Sequence, residues 1–400
     1  DEMLELASLG ASVLHPRAVE IARNYGVNLV VRSSWSDAAG TKLTSRTARP
    51  IGHGGLELGS PVDGVEQMDG QAILALSRIP DQPGIAARLF ETLSDAGINV
   101  DLIIQATHEG TSNDITFTVN EPDLDQAREV TQSVLNSLGG ELSSEGGLTK
   151  LSISGAGIMG RPGIAASLFN GLCQQGINLR LIATSEVKVS CVIAATSGRK
   201  ALQAVRDAFE VADSQVAINP PLSGEDEPEV RGVALDRDQV QLSVRHVPDR
   251  PGIAAALCSS LADNSISIDA IVQSERQHAD GSRDISFILR KDDRARADVA
   301  LAPLLGQWPG AALEDGDAIA RVSAVGAGMR ATAGTAGRMF RALADAQINI
   351  GLIATSEIRT SCVVAEENGI QALQVVHACF GLGGDEQHQA QGTASPLEKT

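Results

Sequence analysis

The 400-residue sequence is poor in aromatic side chains, which make up 2% of it, so its core must be built from Ile, Leu, Val and Ala. Basic residues are also scarce: 32 Lys and Arg stand against 50 Asp and Glu, and the formal net charge is −18. That balance argues against a nucleic-acid partner, which needs a basic surface, and against docking on anionic lipid. No apolar run approaches the roughly 20 residues of a membrane helix, and no signal peptide is evident. The five cysteines (173, 191, 258, 362 and 379) show no CxxC spacing and sit in apolar stretches such as SCVIAA and SCVVAE. They read as buried, reduced thiols of a cytoplasmic protein. The seven histidines are scattered, without HExxH or similar spacing, so no metal site is expected. GxSxG, a P-loop, a Cys–His pair and an acid pair with a nearby base are missing too, so no catalytic residue is expected in this chain. A chain with this much fold and no visible chemistry looks regulatory. It opens on Asp1 rather than Met, and a fragment of a longer protein is expected.

What the sequence does contain is repetition. DQPGIAARLFETLSDAGINVDLIIQ at 81–105 recurs as DRPGIAAALCSSLADNSISIDAIVQ at 249–273, an offset of 168. GAGIMGRPGIAASLF…GINLRLIATSEVKVSCVIAA (155–195) recurs as GAGMRATAGTAGRMF…QINIGLIATSEIRTSCVVAE (326–366), offset by 171. Each long repeat of about 170 residues therefore holds two related units, four in all, of about 70 residues each. In the first unit AILALSRI (72–79) reads as a strand, DQPG as a tight turn with Pro83 in the first helical turn, and Ile85, Ala86, Leu89, Phe90 and Leu93 as one apolar helix face. Gly97 ends that helix. INVDLIIQ (98–105) and the alternating NDITFTV (113–119) are strands, and a second helix covers roughly 122–138. The order βαββα, completed by a further strand, predicts an α+β fold: four ferredoxin-like βαββαβ units, each with two helices on one face of a small antiparallel sheet. Such a sheet leaves its other face or an edge open, so units should pair side by side and a homodimer is expected.

Each turn into a helix offers free backbone N–H groups and the positive end of a helix dipole, which suits a carboxylate. Asp81 and Asp249 open the turns of units one and three. Asp101 and Asp269 follow in the next strand, four residues before Gln105 and Gln273. N–H donors for a carboxylate, with acids and an amide for an ammonium, describe a free amino acid. The plainer alternative is a helix start whose aspartates act as caps. Gly155-Ala-Gly157-Ile-Met-Gly160 also matches the dinucleotide fingerprint GxGxxG. Here, though, the helix leads to a strand that turns straight back, without a crossover long enough for a parallel sheet, and the second copy loses the third glycine.

The DxPGxAAxLFxxLxxxGINxD pattern, the GAGM-type turns and LIATSE together resemble the paired ACT domains of the aspartate kinase family. DEMLELASLGASVLHPRAVEIARNYGVNLVVRSSWSDAAGT (1–41) is similar to the end of that family's catalytic domain. The resemblance runs over residues 1–380, and a duplicated ACT pair is similar to the cyanobacterial type. It implies ATP-dependent phosphorylation of aspartate at its β-carboxyl group, with Mg, as the first step toward lysine, threonine and methionine. It further implies feedback by L-lysine and L-threonine. A stand-alone amino-acid sensor without kinase activity is the alternative. The KFGG segment, the acidic aspartate-binding residues and the nucleotide loop of the family are absent, so this chain is expected to be inactive alone and to need no cofactor. Its expected layout is a kinase tail at 1–43, a linker at 44–62, a first ACT pair at 63–218, a linker at 219–230, a second pair at 231–382 and a disordered tail at 383–400. The units fall at about 70–140, 147–218, 238–313 and 317–382. DGVEQ (63–67) should lie in unit two and RGVALD (231–236) in unit four, nesting units one and three within their partners.

Carried over residue by residue, the family's effector contacts fall in unit one on Asp81, Gln82, Pro83, Gly84, Ile85, Ala86, Asn99, Val100, Asp101 and Gln105. In unit two they fall on Ile164, Ala165, Asn178, Leu179, Ser185 and Glu186. Unit three offers Asp249, Arg250, Pro251, Gly252, Ile253, Ala254, Ser267, Ile268, Asp269 and Gln273. Unit four offers Thr335, Ala336, Asn349, Ile350, Ser356 and Glu357.

Overall fold

A computed structural model describes residues 1–11, 13–44, 61–107, 112–158, 160–219, 228–273, 278–330 and 332–383. Most of the two expected linkers and of the expected tail (45–60, 220–227 and 384–400) therefore lies outside the described residues. The N-terminal block holds helices α1 (Glu2–Ser8) and α2 (Pro16–Asn24) and a hairpin of β1 (Leu29–Val31) with β2 (Thr41–Leu43).

The first long repeat runs β3 (Gly64–Pro80), α3 (Ile85–Asp95), β4 (Val100–Thr107), β5 (Ser112–Asn120), α4 (Leu124–Leu138), β6 (Glu141–Ser154), α5 (Ile164–Gln174), β7 (Leu181–Thr184), β8 (Lys188–Ala194), α6 (Gly198–Phe209) and β9 (Val216–Ile218). The second runs β10 (Gly232–Pro248), α7 (Ile253–Asp263), β11 (Ala270–Gln273), β12 (Ser282–Arg290), α8 (Arg294–Leu305), β13 (Ala312–Val325), α9 (Thr335–Asp345), β14 (Leu352–Ser356), β15 (Arg359–Ala365) and α10 (Gly369–Cys379). The fold is α+β with antiparallel βαββαβ units. The nesting follows from two long strands per repeat. The start of β3, Gly64 to Asp69, pairs with the end of β6 in unit two, and its remainder pairs with β5 and the start of β6 in unit one. β10 and β13 do the same for units three and four.

The units pair across the repeats, within one chain. β4 of unit one is hydrogen-bonded to β14 of unit four, with Ile353 opposite Gln105 and Ala354 opposite Ile104. β7 of unit two lies beside β11 of unit three, where the Ile271 N–H donates to the Thr184 hydroxyl at 3.2 Å. The matching bond between the other two units runs from the Ile103 N–H to Thr355 at 2.7 Å. The sheet therefore curls round on itself. Helices cover its outer face over two cores, one shared by units two and three and one by units one and four. Its inner faces bury a third core, in which Ile73, Leu102 and Leu148 meet Ala270, Ile288, Ile319 and Leu352.

The structure resolves one expectation and corrects another. Among the described residues the inner sheet faces are covered, and the unit edges, for which the sequence left pairing within or between chains open, are paired inside one chain. Pro83 also lies outside the helix. Gly84 is the N-cap, at φ 96°, and α3 starts only at Ile85, because the sharp entry needs a left-handed residue that only glycine adopts without strain. Gly163, Gly252 and Gly334 repeat the arrangement with φ of 99°, 99° and 88°.

The GxGxxG stretch has a packing role. A Cβ on Gly155 would lie 2.3 Å from the Pro61 carbonyl oxygen, and one on Gly157 would lie 2.6 Å from Pro61 Cα. Bare backbone is what lets the 61–63 segment close against this turn. The strand that follows it turns back antiparallel onto β8, so the dinucleotide reading has no parallel sheet to stand on.

Candidate functional site: four cavities at the unit interfaces

The N-terminus of each unit's first helix faces the strand that follows the first helix of the neighbouring unit. Four related cavities result, two at each interface. Between units one and four, a cavity of about 310 Å³ is lined by Asn99, Val100 and Asp101 of unit one and by Gly334, Thr335, Ala336, Ser356 and Glu357 of unit four. Its repeat-related partner, about 50 Å³, gathers Ile164, Ala165, Ser185 and Glu186 of unit two with Ser267, Ile268 and Asp269 of unit three. The other two are narrow, about 20 Å³ each. One joins Gln82, Pro83, Gly84, Ile85, Ala86 and Gln105 to Asn349 and Ile350. The other joins Asp249, Arg250, Pro251, Gly252, Ile253, Ala254 and Gln273 to Asn178 and Leu179. Asp81 does not line a cavity. It stands behind the turn, where its Oδ1 accepts from Asn113 Nδ2 and Asn349 Nδ2, both at 2.7 Å.

The geometry explains why sequence positions far apart converge. Gly84 and Gly334 each hold a helix start against the partner unit, and α3 packs along α9 with Phe90 edge-on to Phe340 at 5.6 Å between ring centres. The strand then leaves the helix toward the neighbour's N-terminus, carrying Asn99 to Asp101 with it.

The polar chemistry differs from the simple picture of free acids. The turn aspartates do not cap their helices. They lock the unit interfaces: Asp249 accepts from Asn178 Nδ2 at 3.2 Å and from Arg283 Nε at 2.8 Å. Gln105 donates to the Ile350 carbonyl at 2.6 Å. Asp101 is ion-paired with Lys150, which also reaches Glu357 at 3.0 Å. Lys188 bridges Glu357 at 2.8 Å and Glu66 at 2.6 Å. In the second interface Arg321 stands 3.2 Å from Asp236, 3.5 Å from Asp269 and 4.0 Å from Glu186. Arg359 lies 3.7 Å from Glu186.

At Lys150 and Glu186 burial competes with neighbouring charge. It would lower the Lys150 ammonium, but Asp101 and Glu357 outweigh it and raise it above the ordinary range. Burial, then the charge of Asp269, pushes the Glu186 carboxyl up to about 8 against the pull of Arg321 and Arg359.

Lys150, Lys188, Arg321 and Arg359 escaped the sequence reading. Their signal was nonetheless present: a single cation in an otherwise uncharged strand, at matching positions of the two repeats, in TKLSIS against ARVSAV and VKVSCV against IRTSCV. Asp69, Asn120 and Asn219, which extend the cavity of about 310 Å³, carry no such repeat signal. Among the described residues no group of His, Cys, Asp and Glu could hold a metal ion.

Comparisons with known proteins agree with the fold. One sequence model of the ACT domain matches residues 74–136 and 240–304, and a second matches 151–209 and 322–380. The chain is 42% identical over 213 residues to an aspartokinase of Thermus thermophilus, covering 53% of this chain and 51% of that one. It is 38% identical over 219 residues to aspartokinase 2 of Bacillus subtilis, covering 54% of this chain and 52% of that one. The chain thus spans about half the length of these curated relatives. The crystal structure of aspartate kinase from Synechocystis superposes with a TM-score of 0.88 at 49% identity, over 96% of this chain and 67% of that one. With four ACT units in its sequence and a near-complete structural match to such an enzyme, the chain belongs to the aspartate kinase family.

Proposed function

We propose that this chain is the effector-binding region of an aspartate kinase, and that the whole enzyme transfers a phosphoryl group from ATP, with Mg, to the β-carboxyl of L-aspartate. Its effectors are L-lysine and L-threonine, products of the pathway that this step opens. Residues 1–43 are the end of the kinase domain, which holds the ATP and Mg sites, and the enzyme is a cytoplasmic homodimer. The observation that carries the reading is the cavity of about 310 Å³ between units one and four. The N-terminus of α9 stands across from Asp101 and Glu357, so a carboxylate and an ammonium each find a partner in one space. An entering ammonium shares Asp101 with Lys150. It adds a cation to a cluster in which Glu66, Asp101 and Glu357 face Lys150 and Lys188.

Regulation requires that ligand affinity differ between an active and an inhibited arrangement of the units. The buried contact of Glu5 with Arg359 favours this reading over a stand-alone sensor, because it ties the N-terminal block to the ACT units. Isothermal titration of Asp101→Ala and Asp269→Ala with each amino acid tests the sites. Each variant is expected to bind one effector at least about tenfold more weakly, the loss of a charge-assisted contact. Wild-type affinities for both amino acids in both variants would remove the assignment.

A further inference from the structure

Glu186 and Glu357 occupy the same position in units two and four, each beside a cavity and each met by two cations. The surroundings differ in one respect. Around Glu357 the cations are Lys150 and Lys188, whose other partners, Asp101 and Glu66, belong to unit one and to the strand nested in unit two. Around Glu186 the second cation, Arg359, reaches outside the ACT units. Its Nη1 lies 3.1 Å from Glu5 Oε2 and 3.7 Å from Glu186 Oε1, and its Nη2 donates to the Thr184 carbonyl at 2.8 Å. Glu5 sits on α1 of the N-terminal block. It is 0% exposed and Arg359 is 1% exposed. Thr184 lines the same cavity as Glu186.

The network is also incompletely satisfied. Glu5 Oε1, Arg359 Nε, and Arg321 Nε and Nη1 are buried without a hydrogen-bond partner among the described residues. Buried charges in that state are sensitive to any new charge nearby, because little water is present to screen it.

We propose that an ammonium-bearing amino acid in the cavity between units two and three is sensed by the N-terminal block through Glu186, Arg359 and Glu5, whereas the ion pairs of Glu357 with Lys150 and Lys188 lead on to Asp101 and Glu66 of the ACT units. This rests on the effector reading above for the identity of the ligand. Above about pH 8, where the Glu186 carboxyl is ionised, the ligand's ammonium, placed beside Glu186 and Asp269, supplies positive charge that Arg359 otherwise shares with Glu186. Arg359 is then left to Glu5, and α1 is held more firmly against β10 and β13. Linkage makes the effect reciprocal: neutralising Glu5 must change affinity at this cavity and not at the other. Arg359 and Glu5 are positioning residues here, since neither needs to touch the ligand.

The test uses the 400-residue chain above about pH 8, where Glu186 is ionised, titrated calorimetrically with lysine and with threonine, and hydrogen exchange in residues 2–8. Glu5→Gln is expected to shift the affinity of one of the two amino acids by about threefold to tenfold and to leave the other unchanged, a coupling within the usual range. Saturation with that amino acid should slow exchange of α1 in the wild-type chain and not in Arg359→Lys, which keeps the charge but loses the fork that spans Glu5 and Thr184. Unchanged affinities in Glu5→Gln, or α1 exchange that ignores the ligand, would overturn the proposal. If the wild-type chain binds neither amino acid, the effector reading fails. The network is then judged on ligand-free exchange alone: Glu186→Gln must alter exchange of α1 and Glu357→Gln must not, and equal behaviour of the two sinks it.

Discussion

Glu186 illustrates what position does to a single side chain. Burial first, and the nearby Asp269 second, push its carboxyl from 4.5 up to about 8. A carboxyl raised on folding contributes stability that is full below about 4.5 and is lost as pH rises through about 8. The unfolding temperature of the wild-type chain should therefore fall across that window relative to Glu186→Gln, which cannot ionise. Parallel melting curves from pH 4 to 9, measured by scanning calorimetry, would refute this. Burial likewise pushes the thiols of Cys191 and Cys258 up to about 12, and that of Cys362 higher still. Almost no thiolate exists at pH 8 in any of the three, so they should resist iodoacetamide in the native chain and react once it is unfolded. Rapid native labelling of these sites, seen by peptide mass spectrometry, would contradict the packing. The sequence placed all five cysteines in apolar stretches and anticipated the burial of Cys191, Cys258 and Cys362, whereas Cys173 and Cys379 are only half-buried. It could not anticipate the pairing of Asp101 with Lys150, because the two lie on strands brought together only by the nested topology.

At the scale of elements, the helix starts are constrained both by backbone conformation and by the neighbouring unit. A Cβ on Gly334 would lie 2.6 Å from Ser94 Oγ, and one on Gly252 would lie 2.8 Å from Cys173 Sγ. On Gly84 and Gly163 the nearest atoms are at ordinary contact distances of 3.7 and 3.8 Å. All four glycines have left-handed φ, so alanine carries about 1 kcal/mol of strain at any of them. Gly334→Ala and Gly252→Ala should cost a further increment, because the neighbouring unit must yield. Urea titrations are expected to rank these two below Gly84→Ala and Gly163→Ala, and equal midpoints for all four would remove the steric argument. The helices and strands themselves were legible from the sequence, since their apolar periodicity reflects cores that each unit builds locally. Pro83 was misplaced because a proline in a PG turn fits a first helical turn equally well on composition. Only the backbone angle of Gly84 separates the two.

For the whole molecule, the decisive fact is that the second repeat supplies what a partner chain could otherwise provide. β4 and β7 are edges that the first repeat alone would expose, with the apolar faces of α3 and α5 beside them. A chain ending at residue 219 should therefore self-associate, which light scattering after size exclusion would report, and a stable folded monomer would count against this view. Phe340, 1% exposed and packed on Phe90 across the interface of units one and four, tests the same contact in the full chain. Phe340→Ala is expected to lower stability by about 3–5 kcal/mol in denaturant unfolding, and an effect near zero would mean the interface is not cooperative with the units it joins.

Residue periodicity and the repeat offsets fixed the unit type, the number of units and the turns that face ligands, because each of these depends on interactions within about 70 residues of chain. Which unit meets which, which cation answers which acid, and how Glu5 comes to touch Arg359 were decided by tertiary structure alone. Those contacts join residues as far as 354 positions apart, and nothing local in the chain encodes their partner.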